Sequence, residues 1–104
     1  MENHEKHARI FKALCDEKRL MILALLREGE KCGCTLEEAL PINQSTLSHH
    51  MKIMVESGIV EVRKDKKWSY YSISDQGYKN TKLLLETLLT KHYNPQTQCA
   101  CKEA

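Results

Sequence analysis

The repeat of apolar residues changes from a helical period to a strand period at Gly58, and this change limits the folds open to the chain. Before it, Leu47, Met51, Met54 and Val55 recur at the i, i+4, i+7 and i+8 spacing of one helix face. After it, apolar residues alternate in two short runs on either side of the basic stretch RKDKK at 63–67. The sequence therefore predicts a helix that ends at Gly58 and leads directly into a β-hairpin with a basic tip.

Capping residues divide the first 58 residues into four predicted helices. The first occupies residues 5–14, and Asp16 supplies the oxygen that caps a second helix over residues 17–26. The motif TLEE at 35–38 has the Ser/Thr-x-x-Glu pattern of a capping box, so we expect a short third helix to begin at Thr35 and to end at Pro41. Asn43 caps the fourth helix.

A fifth helix is predicted after the hairpin, with Asp75 as its cap. Its apolar face is larger than so small a protein can cover from within, and we expect a second copy of the chain to bury it. The residues of this face are Tyr78, Leu84, Leu85, Leu88 and Leu89.

A chain of 104 residues has the size of one domain, which we place at residues 1–93, with a mobile cysteine-containing tail at 94–104. No apolar run approaches the ~20 residues of a membrane helix, and the amino terminus is polar. We therefore expect a cytoplasmic protein without a membrane partner. Five cysteines, an odd number, indicate metal or thiol chemistry rather than a disulfide framework.

Two short helices joined by a tight turn and followed by a hairpin define the winged helix-turn-helix, an α+β, mainly α, fold of about five helices. The second helix of such a pair enters the major groove of double-stranded DNA, and basic residues of the hairpin neutralise phosphates. His49 and His50 point about 100° apart, so one of them is expected to pack or cap instead. The predicted DNA contacts are Gln44, Ser45, Thr46, Ser48, His49, His50, Lys52, Arg63, Lys64, Lys66 and Lys67.

Five segments together resemble the arsenic-sensing branch of the ArsR/SmtB metalloregulators: ALCDEKRL at 13–20, KCGC at 31–34, QSTLSHHMK at 44–52, ESGIV at 56–60 and WSYYSI at 68–73. The resemblance implies a homodimer built on the first and last helices, with two recognition helices set for a palindromic operator. It also implies a transcriptional repressor that leaves the operator when an inducer binds.

The resemblance further implies that Cys32 and Cys34 bind arsenite or antimonite, and thiolates do select soft ions. Residues two apart on a regular helix lie about 200° apart, so both sulfurs would face one ion only if the backbone around Gly33 left the helix. We therefore expect binding to hold or unwind the start of the third helix. Glu37 stands where some family members have a third cysteine, which leaves Cys15, Cys99 and Cys101 as possible third ligands.

Other interpretations use the same cysteines. A cadmium- or lead-responsive repressor of this family would share the Cys-x-Cys pair. A redox-switched regulator would respond to disulfide formation at Cys32 and Cys34 or at the tail pair. A small thiol enzyme has little support because no strand-helix-strand unit is visible. The sequence predicts a regulator and not an enzyme.

Overall fold

A computed structural model describes residues 3–93 of the chain. Within that range the chain forms five helices and three short strands, which occur in the order α1 (His4–Leu14), α2 (Glu17–Leu26), β1 (Lys31–Cys32), α3 (Gly33–Ala39), α4 (Gln44–Glu56), β2 (Val60–Asp65), β3 (Trp68–Ile73) and α5 (Asp75–Leu89). The winged helix-turn-helix fold predicted from the sequence is confirmed, with α3 and α4 as the helix pair and β2–β3 as the wing.

Side-chain caps fix the first residues of α2 and α4 as predicted. Asp16 Oδ2 accepts from the backbone N–H of Arg19 at 3.1 Å, and Asn43 Oδ1 accepts from that of Thr46 at 2.8 Å. Each cap satisfies one of the N–H groups that a helix start leaves without an intrahelical partner. The recognition helix α4 therefore begins at a defined residue.

Two of the predicted caps are wrong. The cap of α3 is Cys32, in extended conformation, so the helix begins at Gly33, two residues before Thr35. The cap of α5 is Ser74, whose hydroxyl accepts from the N–H of Gly77 at 2.9 Å, while Asp75 is the first helical residue. A carboxylate in the first turn interacts favourably with the positive end of the helix dipole without being the cap.

The sheet has three antiparallel strands in the order β1-β3-β2. The strand β1 was not predicted; it pairs Lys31 with Tyr71 and Cys32 with Tyr70. The hairpin pairs Val60 with Ile73 through to Asp65 with Trp68. The first cysteine of the Cys-x-Cys motif thus lies in the same sheet as the wing.

The core lies between the four N-terminal helices and the base of the sheet. Its most deeply buried large side chains are Ile22 of α2, Leu36 of α3, and Met51 and Met54 of α4. Because α4 contributes two of them, its opposite face is left toward solvent. Burial of this kind, at about 25 cal/mol per Å² of apolar surface, is the main term holding a recognition helix on its scaffold.

The predicted apolar face of α5 lies partly in the core and partly toward solvent. Leu84 is 7% exposed and joins the core, whereas Tyr78, Leu85, Leu88 and Leu89 are exposed, as is Leu83. At its start α5 touches the turn after α4 backbone to backbone: a Cβ built on Gly77 would lie 2.0 Å from the carbonyl oxygen of Gly58. Gly58 itself has φ +86°, a conformation that glycine adopts without steric cost.

Candidate DNA interface and thiol site

The outer face of α4 carries the polar side chains that the sequence predicted as DNA contacts. Gln44, Ser45, Ser48, His49 and Lys52 are exposed, and Thr46 is half-buried. Most are short or forked groups near the N-terminus of the helix, where side chains can meet base edges.

His50 is the exception: it is the histidine of the pair that packs inward, as the sequence predicted for one of the two. Its side chain is on the inner face of α4 at 8% exposure, with Nδ1 2.9 Å from Nη1 of Arg19 and Nε2 4.0 Å from Oδ2 of Asp16. Burial lowers the pKa of His50 below its ordinary value. The sequence allowed either histidine to be the inward one, and it is His50.

Arg19 is a buried, hydrogen-bonded residue whose contacts the sequence reasoning missed. It is 7% exposed and follows the i, i+3, i+7 spacing of Ile22 and Leu26, which are also buried. A charged residue on a buried helix stripe requires a partner, so this spacing was the signal that could have found it.

The wing presents three lysines at or near its tip. Lys64 lies in β2, while Lys66 and Lys67 form the two-residue turn, with Lys66 at φ +58°. All three are exposed, and Lys67 Nζ lies 5.2 Å from the centre of the Trp68 ring. Exposed ammonium groups of this kind can neutralise DNA phosphates.

Arg63 differs from these lysines because its charge is already paired. Its Nη2 donates to Glu30 Oε1 at 2.8 Å and its Nε to Oε2 at 3.1 Å, while the guanidinium lies 4.5 Å from the centre of the Tyr70 ring. The Arg63 hydrogen bonds lower the pKa of Glu30. Arg63 therefore ties the residue before β1 to the wing and does not lie at the hairpin tip.

The thiols of Cys32 and Cys34 lie side by side, with Cys34 Sγ donating to Cys32 Sγ at 2.9 Å. Donation from Cys34 lowers the pKa of Cys32 and raises that of Cys34. The sequence required a non-helical backbone for both sulfurs to face one ion, and Cys32 does precede the helix, with φ −68° and ψ 147°. The pair needs no unwinding to face one ion.

The two thiols open into a cleft of about 260 Å³, which we call the thiol cleft. Its walls come from three parts of the fold: the start of α3, the start of α4 and the wing. The lining residues are Cys32, Gly33, Cys34, Glu37, Gln44, Leu47, Ser48, Lys67, Trp68, Ser69 and Tyr71. Gln44 and Ser48 thus belong both to the thiol cleft and to the exposed polar face of α4.

No third ligand joins the pair within residues 3–93, where no three His, Cys, Asp or Glu side chains form a group able to hold a metal ion. Cys15, the residue that caps the C-terminus of α1, is exposed and is not part of such a group within one chain. The possible ligands Cys99 and Cys101, and the tail at 94–104, lie outside the described residues.

None of the helices between residues 3 and 93 has both the length and the apolar character needed to cross a membrane.

The fold and the exposed face of α4 define a winged helix-turn-helix DNA-binding protein. The sequence model of the family described as "Bacterial regulatory protein, arsR family" matches residues 16–62. An uncharacterized HTH-type transcriptional regulator of Methanocaldococcus jannaschii is 45% identical over 89 residues, which are 85% of this chain and 100% of that one. This chain belongs to the ArsR family of transcriptional regulators, and it is not an enzyme.

Two other relatives carry names that bear on the inducer. An arsenical resistance operon repressor of Bacillus subtilis is 39% identical over 72 residues, which are 68% of this chain and 69% of that one. A cadmium resistance transcriptional regulatory protein CadC homolog of Staphylococcus aureus is 38% identical over 73 residues, 69% of this chain and 60% of that one.

A solved structure shares the fold. The homodimeric winged helix-turn-helix DNA-binding domain of a possible ArsR-family regulator from Mycobacterium bovis superposes with a TM-score of 0.67 at 29% identity, covering 86% of this chain and 88% of that one.

Proposed function

We propose that this chain is a cytoplasmic repressor that binds operator DNA as a homodimer and leaves it when Cys32 and Cys34 capture arsenite or antimonite. The observation that carries the proposal is the hydrogen-bonded thiol pair, which opens into a cleft walled by Gln44 and Ser48 of the recognition helix. Soft thiolates favour soft ions, and two relatives are named for resistance to arsenicals and to cadmium.

Operator binding follows from the exposed face of α4 and the lysines of the wing. Gln44, Ser48 and His49 contact base edges in the major groove, while Lys64 and Lys66 contact phosphates. The first set gives sequence preference, and the second gives affinity that falls with salt.

The dimer buries the outer leucines of α5. Leu83 is 61% exposed and Leu89 73% exposed, and such side chains on one helix rarely stay in water. A homodimer also places two recognition helices for two half-sites, and the Mycobacterium bovis neighbour is homodimeric. Sedimentation at micromolar concentration tests this: a monomer would contradict it.

Release follows from the geometry of the thiol pair. Two thiolates that share one ion, with bonds of about 2.3 Å and an S–ion–S angle between about 90° and the tetrahedral value, stand about 3.3–3.8 Å apart. The two sulfurs, now at 2.9 Å, must therefore separate. Cys32 is held in the sheet by its pairing with Tyr70, so the movement falls on α3 and, through the shared cleft, on Gln44 and Ser48 of α4.

The deciding experiment titrates arsenite, antimonite, cadmium, lead and zinc into a preformed complex of the full chain and operator DNA, without oxidant, with fluorescence anisotropy as the readout. We expect arsenite to release the wild-type protein from operator DNA. The variants Cys32→Ser and Cys34→Ser should bind the operator and should stay bound when arsenite is added. Cys15→Ser should lower arsenite affinity if Cys15 supplies a third ligand and should behave as wild type if it does not. If Cys32→Ser leaves the operator at the arsenite concentration that releases the wild type, the ion binds at a site other than the Cys32–Cys34 pair.

Two further arms separate the other interpretations. Stronger release by cadmium or lead than by arsenite would support a cadmium- or lead-responsive repressor. Release that needs an oxidant and is reversed by added thiol would support a redox switch. The double change Cys99→Ser and Cys101→Ser should reduce arsenite affinity in a graded way if the tail supplies a third ligand.

A further inference from the structure

Arg19 joins three helices through three hydrogen bonds. Its Nε donates to the carbonyl oxygen of Ala13 at 3.2 Å and its Nη2 to that of Lys12 at 3.1 Å, both near the C-terminus of α1. Its Nη1 lies 2.9 Å from Nδ1 of His50 in α4. The guanidinium itself belongs to α2, so one buried side chain holds α1, α2 and the recognition helix together.

The contact with α1 suits a permanent cation. Carbonyls of the last helical turn lie at the negative end of the helix dipole, which favours a positive group, and the Lys12 carbonyl accepts from Arg19 in addition to the backbone N–H of Cys15. Arginine stays protonated at all ordinary pH values. The α1 half of this arrangement is therefore insensitive to pH.

The contact with His50 is different because it requires one protonation state. A guanidinium only donates, so Nδ1 must be the unprotonated acceptor and the ring proton must be on Nε2, which faces Asp16 Oδ2 at 4.0 Å. A second proton on the ring would place an N–H against the Arg19 N–H. The hydrogen bond to the recognition helix exists only while His50 is neutral.

The charged groups around His50 come from two helices and the cap between α1 and α2. Arg19 and Lys18 of α2 and the neighbouring His49 of α4 disfavour the imidazolium, as burial does, and Asp16 alone favours it. The His49 and His50 rings lie 6.0 Å apart. Burial has the largest influence, and together with the three positive groups it outweighs Asp16, so the pKa of His50 lies below its ordinary value.

We propose that Arg19 and His50 form a pH-sensitive clamp that holds the recognition helix in the orientation required by the operator, and that acidification opens it. The proposal rests on the proposed operator binding. It adds pH, beside the inducer ion, as a second signal that controls this binding. His50 is a positioning residue: it does not contact DNA, but it fixes α4, which carries Gln44 and Ser48, against α1 and α2. Since protonation disrupts the bound arrangement, operator affinity should fall as pH falls.

The test measures the affinity of the full chain for operator DNA by fluorescence anisotropy, from about pH 7.5 to about pH 5.5 at fixed ionic strength. The affinity for a duplex of random sequence is measured under the same conditions. We expect wild-type affinity for the operator to fall over this range, with about tenfold as the upper limit for a one-unit difference in pKa between bound and free protein. The random duplex should show no such fall. His50→Gln keeps an oxygen able to accept from Arg19 and does not titrate, so its operator affinity should be nearly constant with pH.

The matched control is His92→Gln, which removes an exposed histidine beyond the end of α5 and should keep the wild-type pH profile. A His50→Gln protein with the wild-type profile, or a wild type whose operator affinity rises on acidification, would overturn the clamp. Absence of operator binding by every variant at every pH would instead contradict the proposed function.

A measurement on the unsubstituted protein covers the case in which His50→Gln does not fold. Nitrogen chemical shifts report the tautomer, and we expect an unprotonated Nδ1 and a protonated Nε2 on His50 at neutral pH. A protonated Nδ1 there would overturn the proposal without any variant.

Discussion

Glu30 holds Arg63 with both carboxylate oxygens, at 2.8 Å from Nη2 and 3.1 Å from Nε, and so neutralises the arginine nearest the wing tip. Arg63 lies in β2 and Glu30 lies directly before β1, which carries Cys32. The pair therefore connects the segment that precedes the thiol pair to the wing. It also removes one cation from the set available to DNA phosphates.

We expect Glu30→Gln to strengthen binding to all DNA, because it leaves the Arg63 charge without a carboxylate partner. The plot of log affinity against log salt should steepen by about 0.9, the value for one additional neutralised phosphate. Glu61→Gln, which removes an exposed carboxylate from β2, is the control for net charge. Equal effects of the two substitutions would show that the freed Arg63 does not bind a phosphate.

Wing lysines and recognition-helix side chains should differ in what their removal does. Lys64→Ala with Lys66→Ala should weaken operator and random DNA alike and reduce the salt slope by about 0.9 for each phosphate that is no longer neutralised. Gln44→Ala or Ser48→Ala should cost about 1–3 kcal/mol on the operator and little on random DNA. Competition titrations at several salt concentrations measure both, and a changed sequence preference in the lysine variant would contradict this division.

The hydrogen bond between the thiols predicts which cysteine reacts first. Because the Cys34 thiol donates to Cys32 and lowers its pKa, the Cys32 thiolate should be present at lower pH and should be alkylated before Cys34. In Cys34→Ala, which removes the donor, the pH–rate profile for alkylation of Cys32 should shift to higher pH. Peptide mass spectrometry after timed iodoacetamide treatment checks this; earlier modification of Cys34 would contradict it.

The close approach of α5 to the turn after α4 predicts a strong effect of one methyl group. Gly77→Ala places a Cβ where the Gly58 carbonyl oxygen already lies, so the two backbones must move apart. We expect a loss of at least about 1–3 kcal/mol in unfolding free energy. Gly33→Ala is the control, since its Cβ would lie 3.5 Å from the Tyr71 ring, an ordinary contact. Urea unfolding followed by circular dichroism compares the two.

Sequence patterns predicted those elements whose signals are local. The bounds of α2 and α4 followed from the caps Asp16 and Asn43, which act within three residues of the helix start. The hairpin followed from its alternation and basic tip. A strand of two residues has no periodicity, so β1 could not be predicted, and the extended backbone of Cys32 that it imposes moved the start of α3 away from Thr35.

The site depended more on contacts between distant residues. His50 could be told from His49 only through Arg19, which lies 31 residues away in sequence. The pairing of Arg63 with Glu30 spans 33 residues. In contrast, the exposed polar face of α4 followed from the position of Leu47, Met51 and Met54 on the other side, because helix geometry relates the two faces directly.

Gln44 and Ser48 belong to two surfaces at once, the wall of the thiol cleft and the outer face of the recognition helix. On the proposed function, a substitution there that reshapes the cleft for a different inducer also alters the groups offered to base edges. A change of inducer made at these two positions would then bring a change of operator preference with it.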